Sequence, residues 1–266
     1  MAYEQKISQA TPGLIGLILD DSASMGDNLG TADPKYLWVE RYFGIILHQL
    51  VTLSSDVKGN DAVIKPRYFL TVVKYGSYPE LWGSPEMDIE AALKLFTQSG
   101  KSLGLGGKLQ GTDTEAAFAE MLGHLENSLA GGRFQNSFPP MLFHISDGES
   151  QTDATEKAKK IRALSTNDGN VLLANSYIGA RTSLSYKGPE DFPGYLDVSE
   201  AGPDEYNIRL FEMSSQAPAS IEANLKADGI FPQIRSGSRL FFDIRMKDML
   251  KHAIQVVSSI GSRMAR

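Results

Sequence analysis

The run Leu14-Ile15-Gly16-Leu17-Ile18-Leu19 narrows the folds open to this chain more than any other feature. Its residues do not alternate apolar with polar, so neither face is reserved for water. Short unbroken apolar runs of this kind belong to strands covered on both faces, as inside a parallel sheet with helices above and below. Polarity then switches abruptly to Asp20-Asp21-Ser22-Ala23-Ser24-Met25. In open α/β sheets ligands bind outside the carboxyl ends of the strands, and these acids and hydroxyls fall there. Asp20, Ser22 and Ser24 are spaced as D-x-S-x-S. Alternate residues of an extended segment point the same way, which lets three oxygen side chains converge, and a hard cation such as Mg²⁺ takes a donor set of that kind.

Similar apolar runs recur down the chain, separated by helical patterns. Strands are predicted over 14–19, 68–75, 141–146, 171–178 and 238–244, with a short antiparallel edge strand at Glu80-Leu81-Trp82. Helices are predicted over 34–53, 87–96, 115–129, 153–164, 218–227 and 246–264, while 208–215 is open between strand and short helix. The last carries Leu250, Ile254, Val257 and Ile260 on one face. Asp33-Pro34 reads as an N-cap followed by proline at the first helical position. Thr112 with Glu115 reads as a capping box. Alternation of strand and helix implies a Rossmann-like α/β fold, doubly wound, with a mostly parallel central sheet and helices on both faces. Residues 180–206 are rich in Gly, Pro, Ser and acids and are expected to form a long surface insertion. No repeat and no biased linker divides the 266 residues, so one domain is expected over 1–266, with its core at about 13–264.

Two later segments share the character of the first motif: Gly111-Thr112-Asp113-Thr114-Glu115 before a helical pattern, and Ile145-Ser146-Asp147-Gly148-Glu149 after a strand. D-x-S-x-S, a Thr in a later loop and D-G after an apolar strand, in that order, resemble the metal-ion-dependent adhesion site (MIDAS) of von Willebrand factor type A (vWA) domains. The similarity runs from about Leu14 to Ile260. It implies that Asp20, Ser22, Ser24, Thr112 and Asp147 surround a divalent ion, Mg²⁺ with Mn²⁺ or Ca²⁺ as alternatives. Thr112 is preferred to Thr114 by likeness to the family's loop. The resemblance also implies that Ser22 and Ser24 bind the metal directly, Asp20 and Asp147 mainly through water, and Thr112 in either way. Such an ion keeps a water that a carboxylate of a partner protein displaces. A non-catalytic protein-interaction module of an intracellular, microbial type is therefore expected, in an assembly, stress or defence system.

Bulk properties bound the alternatives. A net charge of −6 disfavours a nucleic-acid binder, which needs a basic face. The chain has no cysteine, which fits a reducing compartment, and Met1-Ala2-Tyr3-Glu4-Gln5-Lys6 does not open like a signal peptide. The apolar runs are too short for membrane insertion, so a cytoplasmic protein is expected. Asp21, Asp27 and Glu149 flank the motifs and are expected chiefly to keep the surface acidic. The glycine-rich stretch Gly100–Lys108 fails as a phosphate loop, because Leu95 and Leu109 stand where glycine or Ser/Thr belongs. Gly100-Lys101-Ser102-Leu103-Gly104 matches a nucleophile-elbow pattern in letters but lacks the preceding strand. The rival enzyme class is a Mg²⁺-dependent phosphohydrolase, since Asp20-Asp21 follows a buried strand, yet that pattern needs an acid at position 22, where Ser stands. His48, His124, His144 and His252 show no metal-binding spacing and read as core or surface histidines, with His144 nearest a motif.

Overall fold

The computed structural model describes residues 3–58, 61–107, 109–179 and 182–264. From the N-terminus, β1 (Gly13–Asp20) leads through a 3-10 turn at Ala23–Gly26 into α1 (Lys35–Ser54). A hairpin follows, β2 (Ser55–Lys58) with β3 (Asp61–Ile64), and then β4 (Tyr68–Tyr75), β5 (Pro79–Leu81), β6 (Met87–Asp88) and α2 (Ile89–Gln98). Next come α3 (Thr114–Ala130), β7 (Met141–Ser146), α4 (Thr155–Ala163) and the small hairpin of β8 (Ser165–Thr166) and β9 (Gly169–Asn170). The chain ends with β10 (Leu172–Tyr177), α5 (Glu205–Met213), α6 (Ala219–Ala227), β11 (Phe241–Asp243) and α7 (Lys247–Met264).

The main sheet runs β11-β10-β7-β1-β4-β5, with β6 also on β4. Every pairing from β11 to β4 is parallel, and only the edge strands β5 and β6 are antiparallel. All of β1 is buried, as its unbroken apolar run requires. Gly16 has a packing reason: a Cβ there would come within 2.5 Å of Leu142 Cδ1 on the paired strand and 3.1 Å of Met121 Sδ on α3. One layer of helices joins α1, α2 and α7, and the other joins α3, α4 and α5. The chain thus has a doubly wound, Rossmann-like α/β fold, and β1 exits at the point where the winding reverses between β4 and β7.

Several local expectations are corrected. Pro34, not Asp33, occupies the N-cap of α1, with no side-chain cap bond. The Asp33 carboxylate instead pairs with Arg41 and, at 2.6 Å, with Lys247 of α7, tying the two helices together. Thr112 does not cap α3 either; Asp113 does, accepting from the Ala116 N–H at 3.0 Å. The hairpin β2–β3 has no counterpart in the apolar pattern. The segment after β10 has exposed positions such as Leu196 and Val198, yet Phe192, Tyr195 and Ala201 within it are fully buried. Phe192 packs its ring against Tyr186 at 5.1 Å, Phe231 at 5.0 Å and Phe242 of β11 at 6.0 Å. Of the α7 stripe, Leu250 is buried, while the side chains of Ile254, Val257 and Ile260 lie outside the described set.

The glycine-rich stretch between α2 and α3 is moulded by a buried carboxylate on α1. Glu40 accepts from the Leu103 and Leu105 N–H groups, both at 2.8 Å, and from Ser102 Oγ at 3.0 Å. A buried N–H left without a partner costs about 1–3 kcal/mol. Glu40→Ala is therefore expected to cost roughly 3 kcal/mol and to speed amide exchange at Leu103 and Leu105. Unchanged exchange at these amides, measured by NMR, would show that the loop holds its shape without Glu40.

Candidate metal centre

The three motifs meet at the carboxyl ends of β1 and β7. Asp20, the last residue of β1, is 1% exposed. Its Oδ1 accepts from the Ser22 N–H at 2.8 Å, and its Oδ2 accepts from Ser146 Oγ at 2.7 Å. The first bond bends the chain out of the strand, so that Ser22 Oγ and Ser24 Oγ come within 3.1 Å of each other. The second ties β1 to the end of β7, where Asp147 follows. Burial, and next the charge of Asp147, push the Asp20 carboxyl up to about 7, with the bonds from Ser22 and Ser146 opposing. Two acids have been brought together under little water.

Asp147 is itself buried. Its Oδ2 accepts from Lys35 Nζ at 2.9 Å, but its Oδ1 has no hydrogen-bond partner among the described residues. The same ammonium donates to the Ser24 carbonyl at 3.1 Å. Thr112 is buried and lines one cleft of about 290 Å³ with Ser22, Ser24 and Glu149. Its carbonyl accepts from the Gln151 N–H at 3.0 Å and Ser150 Oγ at 3.2 Å, which fastens this loop to the one carrying Asp147. A second cleft, of about 330 Å³, is lined by Ser24, Asp27, Lys35, Asp147, Glu149 and Tyr177, among others. Ser24 and Glu149 border both.

The five motif residues offer oxygen only: two carboxylates and three hydroxyls. Among the described residues, no three His, Asp or Glu side chains gather in a way that could hold a metal ion. Hydroxyls must therefore supply part of any coordination, which suits a hard divalent ion that keeps some of its water. An orphaned carboxylate oxygen beside a second, raised carboxyl is what such an ion would satisfy.

Supporting residues fall into two kinds. Asp21 is not a surface acid: it is buried, and its Oδ1 accepts from the Gly106 and Gly107 N–H groups at 2.7 Å each. Gly107 suits this approach, since φ is +57° and a Cβ would stand 2.4 Å from the Gly26 nitrogen. His144 lies on β7 in a buried chain. Asn175 donates through Nδ2 to the Leu210 carbonyl and Ser214 Oγ, so its Oδ1 faces His144 Nδ1 at 2.9 Å. Nδ1 therefore carries the proton, and Nε2 accepts from the Tyr75 hydroxyl at 2.7 Å. Burial lowers His144 to about 4, so the ring is neutral and fully paired, not a ligand. Lys35 and Ser146 were not singled out by the motifs. Lys35 is 112 positions from Asp147, and no local pattern joins them. Ser146 stands inside the third segment, and an oxygen beside the D-G step was the available signal.

The sequence matches no protein-family model, and no curated protein matches it significantly. Solved structures do share its fold. The pilus adhesin SpaC from Lactobacillus rhamnosus GG superposes with a TM-score of 0.60 at 11% identity, over 96% of this chain and 31% of that one. Proximal thread matrix protein 1 (PTMP1) from the mussel byssus gives 0.51 at 13% identity, over 96% of this chain and 47% of the other. The same protein with a zinc-occupied MIDAS motif gives 0.50 at 13% identity, over 94% and 47%. The chain thus spans between 31% and 47% of the length of these proteins. At such identities the likeness is one of fold. Among the described residues, no helix is long and apolar enough to cross a membrane.

Proposed function

We propose that this chain is a non-catalytic protein-interaction module, and that Asp20, Ser22, Ser24, Thr112 and Asp147 hold a divalent ion, Mg²⁺ foremost, to which a partner protein offers an Asp or Glu. The observation that carries the reading is the buried Asp147 Oδ1 without a partner, beside the raised Asp20 carboxyl and the Ser22–Ser24 hydroxyl pair. Only two charged ligands face the ion, so they no more than balance its charge and leave the rest of its coordination to hydroxyls and water. That PTMP1 takes zinc at its MIDAS motif supports a divalent ion here, and SpaC, a pilus adhesin, supports a binding role for the fold. A cysteine-free sequence fits a cytoplasmic, bacterial setting, where an assembly or stress or defence system would use such a module.

Calorimetric titration with Mg²⁺ and Mn²⁺ tests the ion, and capture of partners with and without EDTA tests the bridge. At about 100-fold excess of ion over its Kd, stabilisation reaches roughly 2.7 kcal/mol, and a Tm rise of about 5–10 °C is expected for a domain of this size. Asp20→Ala should remove both the heat of binding and the Tm rise. An unchanged titration would refute the assignment. Phosphatase turnover with Mg²⁺ that vanishes in the same variant would favour the phosphohydrolase alternative.

A further inference from the structure

Among the described residues, Lys35 is the one cation bonded to Asp20 or Asp147. It is the first residue of α1, where the helix dipole is unfavourable to a positive charge. Its ammonium nevertheless turns back to bridge two motif segments, at 2.9 Å from Asp147 Oδ2 and 3.1 Å from the Ser24 carbonyl. The side chain is only 13% exposed, so solvent screens it weakly. Asp33, two residues earlier, is committed to Arg41 and Lys247. Lys35 also lines the second cleft, which shares Ser24 and Glu149 with the cleft that holds Thr112.

The charge count has a consequence. Asp20 and Asp147 alone would neutralise a divalent ion, and a neutral centre attracts an outside carboxylate weakly. With Lys35 fixed on Asp147, the ion and the three groups nearest it sum to one net positive charge, against which the Glu149 and Asp27 carboxylates lining the clefts act. The ammonium repels the ion and attracts the anionic ligand. We propose that Lys35 is the residue that sets the site's selectivity, weakening its hold on the metal while strengthening the loaded site's hold on carboxylates. This rests on the metal-centre reading given under the proposed function. The predicted ligand is an acidic group that meets the ion while its charge is felt by Lys35 in the adjoining cleft.

The test is a pair of titrations on the full chain, with Lys35→Met and Lys35→Arg. Mn²⁺ affinity is measured by calorimetry. Acetate is then titrated into the Mn²⁺-loaded protein and followed by water-proton relaxation, which falls when a carboxylate displaces metal-bound water. Charges at this partly buried separation interact by enough to change affinities roughly tenfold. Lys35→Met is expected to bind Mn²⁺ about tenfold more tightly and acetate about tenfold more weakly, whereas Lys35→Arg keeps both near wild type. Opposite signs separate this role from a structural one, since a loosened site would lose both affinities. Mn²⁺ affinity unchanged or lowered in Lys35→Met, or acetate affinity unaltered, overturns the inference while leaving the metal centre standing. Wild-type protein that takes no Mn²⁺ overturns the metal centre and this inference together.

Discussion

Replacing Asp20 by asparagine is expected to make the metal-free protein more stable at pH 8 while abolishing its response to Mg²⁺. The Asp20 carboxyl is held at about 7, against 3.8 when exposed, chiefly by burial and then by Asp147. A carboxyl raised in the fold contributes stability that is fully present below about 3.8 and is lost as pH rises through about 7. The displacement corresponds to roughly 4 kcal/mol withheld at pH 8 in EDTA. Asparagine fills the same volume and can still accept from the Ser22 N–H and face Ser146 Oγ, but it carries no charge. A gain of a few kcal/mol over wild type is therefore expected at pH 8, shrinking to nothing near pH 4. Urea midpoints across this range provide the measurement. With Mg²⁺ present the order should reverse, because the ion stabilises only the protein that binds it. A variant less stable than wild type at pH 8 in EDTA would mean that the Asp20 charge is already compensated within the protein.

The same opposition explains what could be read from the residues and what could not. β1, β4 and β7 were legible because each is an apolar run whose every neighbour is protein. β2–β3 was not, since Ser55, Asp56 and Lys58 carry no strand signature. Caps were misassigned for a definite reason. Asp33 and Thr112 have the right chemistry in the right place, yet Asp33 has stronger claims from two cations and Thr112 has Asp113 beside it. In the segment after β10, turn-forming residues outnumber Tyr186, Phe192 and Tyr195, and composition hid the aromatic side chains that decide its packing. The five motif residues stand out in the sequence because oxygen-bearing types at fixed spacing leave a mark in the chain. Whether they converge was not written there; it depends on bonds such as Ser146 Oγ to Asp20, across 126 positions. Lys35 carries no motif, and nothing in its neighbourhood in sequence points to Asp147, 112 positions away.

His144 should supply the counterweight to Asp20. Burial lowers the ring to about 4 from 6.5, so its linkage runs the other way. Stability is fully present above 6.5 and is lost as pH falls toward about 4, because the unfolded chain takes up a proton that the fold refuses. The expected loss is roughly 3 kcal/mol, close to the 4 kcal/mol that Asp20 gives back over nearly the same interval. From these two groups, metal-free wild-type protein should show an almost flat stability between about pH 4 and 6.5. Asp20→Asn leaves His144 unopposed, so its stability should fall on acidification. His144→Gln keeps an acceptor for the Tyr75 hydroxyl but cannot titrate, so its stability should rise on acidification, from a lower starting point because the buried chain to Asn175 is disturbed. The double variant should return to a flat profile, since the slopes are set by proton counts and not by packing. Chemical denaturation in EDTA at half-unit pH steps reads all four proteins, and differences between them cancel the surface carboxylates they share. If His144→Gln keeps the wild-type profile, the imidazole titrates alike in the folded and unfolded chain, and the buried Tyr75–His144–Asn175 chain does not hold the ring neutral.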